Sequence, residues 1–227
     1  HRYRPCGSPF IAHVSSAPVF HYAPVFCTSL QPVGKIVLGG SFKTVNGINC
    51  LNLARLNTGG TMDAGFNPYV NNEVDSVAVQ ADGKILTGGF FTAVGGSPHA
   101  YLARLNSDGT PDFEFNSNIN SISISPGIST TMFQTDGKII VGGSISHGLL
   151  RLGNSAAIQA LTITGTNRVF WLRDGTSPEA QSVTFDQSTD AGTTWVPLGP
   201  GTRARKGWEP TGRQLPSTVM LLARARI

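Results

Sequence analysis

Two stretches of this chain are near copies of one another. "QPVGKIVLGGSFKTVNGINCLNLARLNTGGTMDAGF" occupies residues 31–66, and "QADGKILTGGFFTAVGGSPHAYLARLNSDGTPDFEF" occupies residues 80–115. A third copy opens with "QTDGKIIVGG" at Gln134. Aligned on the glycine pair, Gln31, Gln80 and Gln134 fall in register, as do Arg55, Arg104 and Arg151, and Asp63 matches Asp112. A period of about 50 residues belongs to stacked repeat architectures, in which one unit cannot bury its own apolar faces.

Each unit reads as four short strands. "VDSVAVQ" alternates and runs into the Asp-Gly turn of "ADGK", "KILTGGFF" returns, "YLARLN" is a third strand, and "PDFEF" starts a short outer one after "SDGT". The glycine pair suits a strand that a neighbouring backbone approaches closely. Four antiparallel strands joined by tight turns make one blade of a β-propeller. The expectation is therefore an all-β chain: a partial propeller of about three four-stranded blades over residues 31–153, with an irregular leader at 1–30. Residues 154–227 read as a small β-sandwich-like domain, from "ALTITGTNRVFWLRDG", "SVTFDQSTDAGTTWVPLG" and "TVMLLARARI".

The turn, glycine-pair and "LARLN" elements resemble the delta-60 repeat, a bacterial β-propeller repeat of secreted and surface proteins. In the tail, Ser188, Asp190, Gly192, Thr194 and Trp195 are similar to an Asp-box, SxDxGxTW. The resemblance implies the fold and a secreted or bacterial cell-surface location, but no particular activity. The sequence opens at His1 without an export signal, so any such signal is expected outside it.

Three blades do not close a ring, since propellers typically have four to eight. Self-association into a homo-oligomer that completes the propeller is the expected solution. No apolar run approaches the ~18–20 residues of a membrane helix. Arg203, Arg205, Lys206, Arg213, Arg224 and Arg226 make the tail basic, which suits a solvated sheet face; nucleic acid is not the expected partner, although acidic glycans would be attracted. Cys6, Cys27 and Cys50 lack zinc-ligand spacing, and a Cys6–Cys27 bridge would leave Cys50 free.

Two functional readings follow. The first is a non-catalytic exported module that binds a glycan or protein. The second is a hydrolase of activated esters on the loop face. Cys50, His99 and His147 hold equivalent loop positions in successive repeats, and the loop before the second unit adds Glu73 and Asp75. Cys50 would be the nucleophile, His99 or His147 the general base, and Glu73 or Asp75 the orienting carboxylate. A divalent ion held by His99, His147 and Asp75 would be the metal-assisted variant; otherwise no cofactor is expected. The recurring Arg55 and Arg104 read as braces for Asp63 and Asp112, not as a site.

Overall fold

The alternation of short apolar runs with Asp-Gly turns is realised in a computed structural model that describes residues 24–115, 117, 119, 126–164, 168–210, 215–216 and 218–227. Among these every regular element is a strand. The first unit contains β1 (Val25–Leu30), β2 (Ile36–Gly40), the hairpin β3 (Thr44–Val45) with β4 (Ile48–Asn49), and β5 (Leu53–Leu56). The second repeats it with β6 (Val74–Val79), β7 (Ile85–Gly89), β8 (Ala93–Val94), β9 (Ser97–Pro98) and β10 (Leu102–Leu105). The third keeps only β11 (Gly127–Phe133), β12 (Ile139–Ser144) and β13 (Leu149–Leu152).

The sheets are β1-β2-β5, β6-β7-β10 and β11-β12-β13, all antiparallel. Each blade thus has three full strands. The expected fourth is reduced to single bridges, Leu56 to Met62 and Leu105 to Pro111, because a second turn follows at once. The first blade also starts earlier than the repeat: β1 lies within the expected leader of residues 1–30. The repeat motif begins at the hairpin turn, so the strand that precedes the turn falls outside it. Cys6 lies outside the described residues, and Cys27 and Cys50 are free thiols.

Blades stack face to face. Val37 and Leu53 of the first pack with Val74, Val79 and Ile85 of the second. Leu86 and Leu102 of the second pack with Ile128, Phe133 and Val141 of the third. The two glycines of each pair have different tasks. A β-carbon on Gly39 would stand 2.6 Å from Val74, and one on Gly88 2.5 Å from Ile128, each in the following blade. Gly40 and Gly89 instead face carbonyls of their own blade's first strand, beside a bulge that recurs at Val25/Cys27 and Val74/Ser76.

The recurring arginines brace each blade as expected. Arg55 Nε lies 2.8 Å from Asp63 Oδ2 with its guanidinium over the Phe66 ring, and Arg104 Nε lies 2.7 Å from Asp112 Oδ2, over Phe115. Lys35 and Lys84 complete the triads at 2.7 and 2.8 Å. The carboxylates are nearly buried, so each pair satisfies a group that would otherwise be costly to desolvate.

The tail is one sheet of six strands: β14 (Ala157–Thr164), β15 (Arg168–Gly175), β16 (Ser182–Ser188), β17 (Val196–Ala204), β18 (Gly207–Pro210) and β19 (Met220–Arg226), in the order β14-β15-β18-β17-β16-β19. It curls, so that Val169, Trp171, Phe185, Leu198 and Trp208 from one face share a core. The sandwich-like tail is thus a single sheet curled over its own core. No helix of the described residues is long and apolar enough to cross a membrane.

Candidate functional site

The residues expected to make a hydrolytic site keep their equivalent positions and for that reason stay apart. Cys50 N donates to Lys43 O at 2.9 Å, and His99 N donates to Thr92 O at 3.0 Å, the same bond in successive blades. Equivalent points on stacked sheets are about 10 Å apart. Cys50 is 2% exposed, among Leu38, Phe42, Val45 and Ala54, and burial pushes its thiol up, away from the thiolate a nucleophile needs. His99 lies beside the Phe113 ring, 6.2 Å between centroids; its Nε2 is buried without a partner, and burial holds its pKa down. His147 is exposed in a turn, with Nδ1 3.0 Å from Ser146 Oγ.

Glu73 and Asp75 do share one place, at the start of β6. Burial, then the Glu73 charge, raise the Asp75 carboxyl. The thiol that feels Asp75 is Cys27, not Cys50; burial foremost pushes Cys27 up to about 12. Among the described residues no hydrogen bond joins Cys50, His99 and His147, and no group of three or more His, Cys, Asp or Glu side chains is placed to share a metal ion.

The larger concavities lie at the opposite, turn end, where the tail sheet docks. Ala81 N donates to Ser177 O at 2.8 Å, Glu179 N to Val79 O at 3.0 Å, and Asn154 Nδ2 to Gly137 O at 3.1 Å. Two backbone bonds tie the tail to the second blade, and the Asn154 side chain ties it to the third. Beside the docked sheet lies a half-open cavity of about 500 Å³, lined by Leu30, Val77, Met132 and Glu179. Beside it a cleft of about 620 Å³ opens between the turns of the first two blades and the β17–β18 turn.

The cleft is the most highly charged of these surfaces. Lys35, Arg55, Arg203, Arg205 and Lys206 face Asp82, Asp108 and Asp174. Lys206 Nζ lies 2.7 Å from Asp174 Oδ2, and that bond holds the Asp174 carboxyl down. Bonds from Thr110 hold Asp108 down. Burial raises Asp82, against a bond from Lys84 N. Arg203 stacks over Trp208, 5.4 Å to the ring centroid, and its Nη1 is 2.9 Å from Glu179 Oε1. Burial nonetheless lifts Glu179 to about 7. Arg205 is exposed and carries no ion pair among the described residues.

A family model described as "Domain of unknown function (DUF5122) beta-propeller" matches residues 31–66 and 80–115. Residues 31–115 are a DUF5122 β-propeller domain. The matched segments coincide with the first two blades from their hairpin turns onward, and the third blade, outside the match, repeats their three-strand order with a shortened middle. No curated protein matches the chain. Arg205, Asp82 and Asp108 were not singled out as site residues by the sequence: the two aspartates read as turn formers, and only the docking of the tail sheet brings the turns of two blades to one cleft.

Proposed function

We propose that the chain is a non-catalytic binding module that takes an acidic glycan in the cleft at the turn end. The observation that carries this reading is Arg205, exposed and unpaired among the described residues in a cleft where Lys35, Arg55, Arg203 and Lys206 each already hold a carboxylate. A carboxylated or sulfated sugar offers negative charge for the cations and hydroxyls for Asp82 and Asp108, a pairing that Arg and Lys make with charge-assisted bonds. The cleft lies where the turns of two blades meet the tail sheet, a junction of the kind where ligand sites are commonly found.

The module belongs, in this reading, to a secreted or surface protein, on the resemblance of its repeats to delta-60 units. The Asp-box reading of the β16–β17 turn is structural. Asp190 accepts from Thr194 N at 2.9 Å and from Ser188 Oγ at 2.7 Å, and the Thr194 bonds chiefly hold its pKa at about 2. Hydrolysis by Cys50 and His99 draws no support from a buried, protonated thiol.

Titration calorimetry with a polyuronate oligosaccharide and its neutral counterpart tests the proposal. Binding of the acidic sugar alone is expected, weakening as salt rises. Arg205→Ser is expected to weaken it about tenfold, the loss of one exposed charge-assisted contact. Equal affinity for the neutral sugar, or no effect of Arg205→Ser, would rule the cleft out.

A further inference from the structure

The seam between successive blades is built from the same residues each time. At the first seam Gly39 admits Val74, and Arg55 Nη1 donates to Ser107 O while holding Gln31 Oε1 at 3.1 Å; Gln31 Nε2 reaches Gly83 O at 3.2 Å. At the second seam Gly88 admits Ile128, and Arg104 Nη1 donates to Asn154 Oδ1 at 2.7 Å. Ser107 and Asn154 are equivalent positions, each second after the leucine that ends its blade's last strand. So an arginine of one blade always grips the turn of the next.

The third blade carries the same equipment with nothing opposite it among the described residues. Gly142 takes the place of Gly39 and Gly88, yet a β-carbon there would meet only Thr130, Gly148 and Leu149 of its own blade. Arg151 holds Gln134 Oε1 at 2.5 Å, as Arg55 holds Gln31, but reaches no following turn among the described residues. Leu149, equivalent to the buried Leu53 and Leu102, is 62% exposed, and Met132 beside it is 55% exposed.

The matching surface is the outer face of the first blade, which no described element covers. Register places Thr28 and Leu30 at the positions of Val77 and Val79, which the second blade presents to the first. Leu30 is 41% exposed and Val25, the equivalent of Val74 and Ile128, 38%. Two copies of the three described blades give six, within the usual range of four to eight.

We propose that two copies of this chain close a six-bladed ring head to tail, the third blade of each seating the first blade of the other. Gly142 admits Val25 of the second copy, and Arg151 grips the carbonyl of Thr58, the equivalent of Ser107. Both seams are then the same contact, related by one two-fold axis. The seam continues an interface the chain already makes twice within itself. It does not depend on what the cleft binds.

Light scattering on the purified chain tests this, with the expected mass twice that of one chain. Gly142→Ala is expected to halve it: the new methyl is tolerated within the chain but stands where the incoming strand must lie. Met132→Glu, at an exposed position, does the same should Gly142→Ala fail to fold. Leu30→Glu spoils the opposite face and is likewise expected to give a monomer. Mixing Gly142→Ala with Leu30→Glu restores a dimer, because the sound third blade of one meets the sound first blade of the other. A monomeric parent chain, a dimer that survives both Gly142→Ala and Met132→Glu, or a mixture that stays monomeric would each overturn the proposal.

Discussion

A β-carbon on Gly88 would stand 2.5 Å from Cγ2 of Ile128 and 2.9 Å from Cγ2 of Thr131, both in the next blade. Beside this contact the Ser76 and Thr131 hydroxyls meet at 2.8 Å, so the seam is closed by packing and by a buried hydrogen bond together. Gly88→Ala must therefore push two sheets apart. Overpacking of this kind costs about 1–3 kcal/mol. Denaturant unfolding of the variant should show that loss, and a parental midpoint would mean that the seam yields freely.

Asp112 and Asp136 ask the same question at two depths. Asp112 is 4% exposed and takes both Lys84 and Arg104, whereas Asp136, with Arg151, is 46% exposed. Asp112→Asn leaves two cations without their buried partner, a loss of about 3–5 kcal/mol. Asp136→Asn breaks an exposed pair and should cost no more than about 1 kcal/mol. Equal losses by chemical denaturation would contradict the burial difference.

The pH profile of stability is expected to have two limbs of opposite sign. Bonds from Lys35 foremost hold Asp63 below the ordinary carboxylate range, and Asp112, despite its burial, is held down by Lys84 and Arg104. Their contribution is present above the unfolded-state pKa and disappears as pH falls through the depressed folded values. Glu179 behaves oppositely: burial raises it from 4.5 to about 7, so the folded state binds its proton more tightly, and stability drops as pH rises through that window. Glu179→Gln should flatten the upper limb and leave the acid limb alone. Thermal melts across pH would show it; an unchanged upper limb would assign that limb to another group.

Thiol labelling separates a buried structural cysteine from a nucleophile. Burial pushes up both Cys27 and Cys50. Peptide mapping after brief treatment with a thiol reagent near neutral pH should find both unlabelled in the folded chain and fully labelled in denaturant. Rapid native labelling of Cys50 would revive the hydrolase reading.

The repeat made the blades legible because its signals are local. Asp-Gly turns, period-two alternation and paired glycines act within a few residues, and the Arg55–Asp63 and Arg104–Asp112 braces span only eight positions each. The start of the first blade was less legible, since β1 precedes the motif and shares only Val25 with its counterpart Val74 in β6. The candidate catalytic set failed to assemble for a related reason. Cys50 and His99 share a register, and a shared register in stacked sheets guarantees separation; His147 lies one residue off it in the short turn of the third blade.

By itself the sequence determined an all-β chain of stacked blades, their recurring turns, glycine pairs and braces, and the apolar faces that one sheet cannot hide alone. Tertiary structure decided where the tail sheet docks, which turns share a charged cleft, and which faces stay open. Those outcomes depend on contacts between residues far apart in the chain, such as Val79 with Glu179 and Arg104 with Asn154, and no local pattern encodes such distances.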